Sequence, residues 1–96
     1  MIVSMLEAKV EKARTGELVS QFEASAESLP SAIVESFLLK DTSSEMWRIV
    51  TVWESQEALD GYRKAVDTPG GVLMFRAAGA EPNLSVFEVK ASADHS

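Results

Sequence analysis

The stretch that decides the fold is residues 32–53, which read AIVESFLLKDTSSEMWRIVTVW. Its two ends, residues 32–39 and 46–53, are rich in β-branched and aromatic side chains, which favour strands. The polar link between them, residues 40–45, is only six residues long. Two strands joined by so short a link are expected to pair as an antiparallel hairpin.

Upstream of this hairpin, the chain predicts a strand and then a helix. Residues 2–10 are mostly apolar and favour a strand, with a helix as the competing interpretation. In residues 16–29, apolar side chains recur at about helical spacing with glutamates between them, which predicts an amphipathic helix. Thr15 is a candidate cap at its start, and Pro30 follows its end.

Downstream of the hairpin, a second helix and a last strand follow. Ser55 is a candidate N-cap, and the apolar stripe behind it predicts a helix whose members are Ala58, Leu59, Tyr62 and Val66. Gly70 and Gly71 break that helix, and the apolar residues 72–78 have the length of a single helical turn. Residues 84–89 predict the last strand.

The element order is therefore βαββαβ, which predicts an α+β, ferredoxin-like domain over residues 1–90. Its four strands would form an antiparallel sheet with two helices on one face. Residues 91–96 are expected to be a flexible C-terminal tail.

The composition excludes several classes of function. The chain has 96 residues, a formal net charge of −6, no cysteine and one histidine. Disulfides and thiolate or histidine-rich metal sites are therefore excluded, and no metal site is expected. The acidic balance argues against binding nucleic acid or an anionic membrane surface. No apolar run is long enough to span a bilayer and no signal peptide is evident, so a cytoplasmic protein is expected.

The hairpin strands are apolar on both faces. In the strand at residues 46–53, one face carries Trp47, Ile49, Thr51 and Trp53, and the other carries Met46, Arg48, Val50 and Val52. In the strand at residues 32–39, one face carries Ile33, Phe37 and Leu39, and the other carries Val34 and Leu38. Two helices can cover only one face, and monomers rarely expose a large apolar patch. We therefore expect a homodimer that packs sheet against sheet, unless residues 72–78 shield the second face.

The segment WRIVTVWESQEAL, residues 47–59, resembles the strand-to-helix junction of antibiotic-biosynthesis-monooxygenase-like proteins. The Trp-Glu-Ser step, residues 53–55, is its most specific part, and the resemblance extends over residues 2–90. It implies a dimeric α+β barrel built from two ferredoxin-like units. It also implies a monooxygenase that uses no cofactor. Its substrate would be a small aromatic molecule, phenolic or polyketide-like, bound in a hydrophobic pocket of the barrel.

The same resemblance extends to haem-degrading proteins, which typically use a histidine on the second helix and an asparagine on the first strand. Here Tyr62 stands where the wider family often has histidine, and the first strand offers Ser4 or Glu7. The single histidine, His95, lies in the tail. These departures argue against haem degradation.

Five side chains are candidates for a site in the pocket. Catalytic roles fall to Tyr62, whose hydroxyl could relay a proton, and to Arg48, which could clamp a substrate anion. Substrate contacts would come from Trp53 and Trp47 by stacking, and from Phe75 in a segment that could act as a flap.

Each candidate has a structural alternative. The aromatic side chains could belong to the core, and Arg48 could pair with Glu35 or Glu88 on another strand. With those alternatives the protein would be a non-catalytic small-molecule-binding or structural member of the same fold.

Overall fold

A computed structural model describes residues 1–95 and contains four strands and three α-helices. In chain order they are β1 (Ile2–Lys9), α1 (Thr15–Ala26), β2 (Ile33–Lys40), β3 (Met46–Trp53), α2 (Gln56–Ala65), α3 (Gly70–Ala77) and β4 (Asn83–Glu88), with a short 3-10 helix (Lys12–Arg14) before α1. The strands form one antiparallel sheet in the order β2-β3-β1-β4, which is the predicted ferredoxin-like arrangement.

The hairpin has the predicted bounds on its second strand and a well-bonded turn. Backbone and hydroxyl of Ser43 donate to Asp41 Oδ1 at 2.8 and 3.0 Å, which closes the polar link. These two bonds, above all the backbone N–H, lower the pKa of the Asp41 carboxyl. The turn is therefore held by its own side chains and positions β2 beside β3.

The two predicted helix caps have different outcomes. Ser55 caps α2 as predicted, since its Oγ accepts a hydrogen bond from the Ala58 backbone N–H at 3.1 Å. The prediction for Thr15 is wrong: its Oγ1 donates to the Lys12 carbonyl at 3.1 Å. The reason is that α1 continues directly from the 3-10 helix, so Thr15 is already helical and Arg14 has the N-cap position.

The segment predicted as one helical turn is a third helix, α3, which is two turns long. It packs against α1 and β1, and its Phe75 is fully buried in the core between helices and sheet. Gly79 follows α3 with a φ of +77°, a left-handed conformation that favours glycine. Because α3 lies on the same side of the sheet as α1, it does not shield the second face.

The sheet has one covered and one open face. On β3 the side chains of Trp47, Ile49, Thr51 and Trp53 are buried under the helices. The other face, which we call the open face, carries Val3, Met5, Phe37, Leu39, Val50, Val52 and Phe87. A register shift between Ile33 and Glu35 turns Ile33 to the helix side, so the prediction that it shares a face with Phe37 is wrong.

Arg48 lies on the open face and pairs with a carboxylate other than the two predicted. Its Nε donates to Glu7 Oε2 at 2.8 Å, and its Nη1 is 4.0 Å from Asp41 Oδ2. The predicted partners, Glu35 and Glu88, are not used. The strand register explains this, because Glu7 stands directly opposite Arg48 on β1.

The buried apolar residues form two clusters. The larger one lies around Leu18, Trp47 and Phe75, and the smaller one around Trp53 and Leu59. Within residues 1–95, no helix is long and apolar enough to cross a membrane. Residues 91–95 form neither helix nor strand, and Ser96, the last residue of the predicted tail, lies outside the described residues.

Candidate functional site

A cavity of about 450 Å³ lies between the covered face of the sheet and all three helices. Most of its lining is apolar and includes Leu6, Phe22, Ile33, Ile49, Leu59 and Met74. Because these residues belong to both core clusters, the cavity occupies the gap between them. Its size is within the range of small-molecule sites, about 300–1,000 Å³. We call it the helix-side cavity, because it lies within one chain and not on the open face where two sheets would meet.

Two aromatic side chains form one corner of the helix-side cavity. The rings of Trp53 and Tyr62 have their centroids 5.2 Å apart and are tilted by 45°. This is a favourable aromatic geometry, and it joins the end of β3 to α2. Trp53 Nε1 donates to Ser4 Oγ at 2.9 Å, and Tyr62 Oη accepts from the Gly70 backbone N–H at 2.9 Å. Both rings are therefore held in place by a hydrogen bond to a neighbouring element.

Three hydroxyl side chains cross the floor of the cavity, one on each of three neighbouring strands. In the strand register Thr51 of β3 stands opposite Ser4 of β1 on one side and Ser36 of β2 on the other. The Ser36 and Thr51 hydroxyl oxygens are 3.0 Å apart and share one hydrogen bond. Ser4 and Thr51 are more than nine-tenths buried. We call Ser4, Thr51 and Ser36 the hydroxyl row.

The first turn of α3 forms a wall of the cavity because it carries two glycines. A Cβ at Gly71 would lie 2.6 Å from Leu6 Cδ1 and 3.6 Å from Ile49 Cδ1, so this helix approaches the sheet closely. A Cβ at Gly70 would lie 3.4 Å from the Tyr62 hydroxyl. Gly70 and Gly71, which were predicted to break α2, are instead the first residues of α3, and α2 already ends at Ala65. The pair lets α3 approach the cavity floor.

One charged side chain, which is itself exposed to solvent, borders the cavity. Arg63 of α2 is the single charged residue in the lining within the described chain, and no Asp, Glu, His, Asn or Gln accompanies it there. Across residues 1–95, no three His, Cys, Asp or Glu side chains form a group that could hold a metal ion. The site can therefore hold a flat apolar molecule and donate hydrogen bonds to it, but it supplies no carboxylate or imidazole base.

Of the five predicted site residues, the cavity brings together two, Trp53 and Tyr62. Trp47 shares a face with Trp53, but it lies at the other end of β3 and packs in the larger core cluster with Phe75. Phe75 is fully buried, so it packs in the core and is not part of an exposed flap. Arg48 is on the open face and cannot contact a ligand in this cavity, so a clamp formed by Arg48 would need a separate site there.

Sequence reasoning did not assign Thr51, Ser36 or Arg63 to a site, and it named Ser4 only at the first-strand position where haem-degrading proteins have asparagine. One signal was present in β3, where Thr51 is a polar side chain between Ile49 and Trp53 on the buried face. A buried hydroxyl at such a position needs a partner, and it often marks a site. Ser4 and Ser36 carried no comparable signal, since only the strand order brings them beside Thr51.

No protein-family model and no curated protein sequence matches the chain. Solved structures do match over nearly the whole chain. A protein from Deinococcus radiodurans, proposed to be an antibiotic biosynthesis monooxygenase, has a TM-score of 0.73 at 12% identity and covers 100% of this chain and 99% of its own. A mutant of SnoaB, a cofactor-independent oxygenase from Streptomyces nogalater, has a TM-score of 0.72 at 18% identity, with 98% and 97% covered.

The haem-degrading protein MhuD from Mycobacterium tuberculosis, with two haems in its active site, has a TM-score of 0.73 at 23% identity. The match covers 98% of this chain and 100% of MhuD. At these identities the similarity is one of fold. The chain therefore has the fold of the antibiotic-biosynthesis-monooxygenase-like proteins, which the Trp-Glu-Ser step at residues 53–55 predicted.

Proposed function

We propose that this protein binds a small aromatic molecule in the helix-side cavity and oxidises it with molecular oxygen, without a cofactor. The observation that carries the proposal is the cavity of about 450 Å³ with apolar walls and the aromatic corner of Trp53 and Tyr62. Aromatic side chains are well suited to hold a flat aromatic ligand by stacking. The shared fold with SnoaB, a cofactor-independent oxygenase, supports the reaction class.

The reaction that suits these residues is oxidation of the activated CH₂ group of a phenolic, anthrone-like carbon acid. The anion of such a substrate transfers electrons to O₂, so its CH₂ group becomes a carbonyl. One oxygen atom enters the carbonyl, and the other leaves as water with the two hydrogens. In the cavity, Arg63 and the Tyr62 hydroxyl would stabilise the substrate anion, and Trp53 would orient its rings.

A second candidate is a non-catalytic protein that binds the same class of molecule. The observation that favours it is the cavity lining, in which the described chain places no carboxylate or imidazole. Deprotonation of the substrate would then depend on the substrate's own acidity and on the donors around it. Binding without turnover does not require deprotonation of the ligand.

MhuD, which has a similar fold, binds two haems in its active site, but the side chains of this chain differ from those that hold haem. Haem in oxygen chemistry is usually held by a histidine or a cysteine thiolate, with tyrosine as a less common ligand. The chain has no cysteine, and its single histidine, His95, lies beyond β4. The Tyr62 hydroxyl already accepts a hydrogen bond from Gly70. The lining does not fit haem, and the proposed reaction does not use it.

Oxygen uptake with 1,8-dihydroxyanthrone tests the proposed reaction. We expect wild-type protein to consume O₂ above the buffer rate and to form one quinone per O₂. Tyr62→Phe and Arg63→Gln should each lower the rate by about tenfold or more, because each removes a donor to the substrate anion. Arg76→Gln is the matched control, since Arg76 is an exposed arginine paired with Glu81 outside the cavity. A wild-type rate at the buffer background would refute the enzymatic proposal.

We further propose that a second copy of the chain covers the open face. Phe37, Leu39 and Phe87 on this face are 43%, 46% and 50% exposed, respectively, and together form a large apolar patch. The Arg48 cation on the same face is neutralised by Glu7, so an identical partner would meet no isolated charge.

Sedimentation equilibrium tests this dimer. We expect wild-type protein to have a mass of two chains at micromolar concentration. In Phe87→Asp the mass should shift towards one chain, because both chains of a two-fold dimer would bury a new carboxylate in the interface. Leu73→Asp is the control, since Leu73 is 54% exposed on α3, away from the open face. A single-chain mass for wild type would contradict the proposal.

A further inference from the structure

The hydroxyl row is an unusual feature of an otherwise apolar floor. Ser4 and Thr51 are 8% and 7% exposed and are the buried polar residues of the described chain. Around them the floor is formed by aliphatic side chains such as Ile33 and Ile49, and by the aromatic side chain of Trp53. Buried hydroxyl groups normally have hydrogen-bond partners. A hydroxyl donor of the row that has no partner in the protein therefore indicates which hydrogen-bonding group a ligand would supply.

Within residues 1–95, the row contains O–H donors that have no acceptor within hydrogen-bond distance. Each hydroxyl carries one O–H donor. Ser4 Oγ accepts from Trp53 Nε1, and within residues 1–95 its own O–H has no acceptor. Ser36 and Thr51 share one hydrogen bond, so one of their two O–H groups is used and the other is not. Two O–H donors of the row are therefore available to a ligand.

Tyr62 adds a third donor to the lining of the same cavity. Its oxygen accepts from the Gly70 N–H at 2.9 Å, and no acceptor for its own O–H lies among the side chains and backbone of the described residues. The lining also contains no carboxylate or carboxamide oxygen in that part of the chain. A ligand N–H or C–H entering the cavity would leave these protein donors unpaired, whereas a ligand carbonyl or phenolate oxygen would pair them.

We propose that the hydroxyl row and Tyr62 select ligands that present an acceptor oxygen on the edge of a flat aromatic ring system. This deepens the proposed function and rests on it only in that the helix-side cavity is the binding site. The row determines specificity by donating to a carbonyl or phenolate oxygen, and Trp53 contacts the ring face. A ligand of the same shape with only N–H or C–H at that edge binds more weakly, because the buried donors lose water without gaining an acceptor.

Three probes of matched shape test this selection. 9-Fluorenone carries a carbonyl oxygen, carbazole an N–H and fluorene a CH₂ at the same edge of the same three-ring frame. Their dissociation constants are measured by equilibrium dialysis, which does not depend on a change in protein fluorescence. We expect wild-type protein to bind 9-fluorenone about tenfold tighter than either of the others, which corresponds to one recovered buried hydrogen bond. Equal affinity for all three, or no binding of any, would overturn the proposal.

A double substitution locates the selection in the row. Ser36→Ala combined with Thr51→Val removes both members of a hydrogen-bonded pair, so it leaves no orphaned partner and should fold. We expect the preference for 9-fluorenone over fluorene to fall at least threefold, because fluorene no longer buries unpaired donors of the row and its affinity rises. Ser85→Ala is the control, since Ser85 faces away from the helices on β4. An unchanged preference in the double variant would contradict the assignment.

The wild-type comparison needs no variant, so it remains decisive even if the double variant unfolds. 9-Fluorenone has no oxidisable C–H at its carbonyl carbon, so the dialysis measurement reports binding alone. Selective binding without oxygen uptake from an anthrone would leave this inference standing and refute the proposed reaction. Oxygen uptake without selectivity among the three probes would refute this inference and leave the reaction standing.

Discussion

Replacing Ser4 with alanine removes the acceptor of the Trp53 indole N–H and should destabilise the protein by a calculable amount. The Trp53 Nε1 to Ser4 Oγ distance is 2.9 Å, and the two residues are 4% and 8% exposed. A buried N–H left without an acceptor costs about 1–3 kcal/mol. We expect the free energy of unfolding to fall by about 1–2 kcal/mol, because the alanine methyl offsets part of that cost. For a domain of this size, that lowers Tm by about 4–16 °C.

A double-mutant cycle with Trp53→Phe isolates this hydrogen bond. Phenylalanine has no N–H, so Ser4→Ala in the Trp53→Phe background should cost at most about 0.5 kcal/mol. The free energies are measured by urea unfolding, followed by far-UV circular dichroism, at one protein concentration for all four proteins. The coupling energy should be about 1 kcal/mol. If Ser4→Ala costs the same in both backgrounds, the bond does not hold the aromatic corner as described.

Three further predictions concern the packing and the turns. Phe75→Ala should lower the free energy of unfolding by about 3–5 kcal/mol in urea, because Phe75 is fully buried in the core; a loss below 1 kcal/mol would instead fit a flap. Gly79→Ala should cost about 1–2 kcal/mol in the same assay, because φ is +77° there, and an unchanged stability would contradict that conformation. Asp41→Ala should lower Tm at pH 7. The lowered pKa of Asp41 means that its carboxylate stabilises the turn only while it is ionised, so the difference in Tm from wild type should shrink as the pH falls below about 4. A Tm difference that does not depend on pH would contradict this.

The elements that could be predicted from the sequence are those whose signals are local. The strand Met46–Trp53 has the predicted bounds, because eight consecutive residues favour a strand and polar residues flank them. The cap at Ser55 is likewise confirmed, since N-capping depends on residues three positions apart. The cap proposed at Thr15 failed because the preceding 3-10 helix was not recognised.

The candidate site was harder to predict because it depends on contacts between distant segments. Ser4 and Thr51 are neighbours only because β1 pairs with β3, and Ser36 joins them only through the register after the shift at Ile33. Tyr62 and Trp53 were predicted as site residues from their residue type alone, because aromatic side chains are suited to contact an aromatic ligand and the Tyr62 hydroxyl could relay a proton. Trp47 was selected by the same reasoning, and the packing of α1 and α3 over its end of the strand places it in the core.

A ligand in the helix-side cavity would lie beside Trp53 and away from Trp47. The two tryptophans are six residues apart on one strand, about 20 Å at 3.3 Å per residue, and their indole N–H groups give two separate peaks in a ¹H–¹⁵N correlation spectrum. Trp47→Phe assigns the peaks. On titration with 9-fluorenone, we expect the Trp53 indole peak to shift and to saturate at one ligand per chain, while the Trp47 peak stays in place. A shift of the Trp47 peak alone, or of neither peak, would contradict binding in the helix-side cavity.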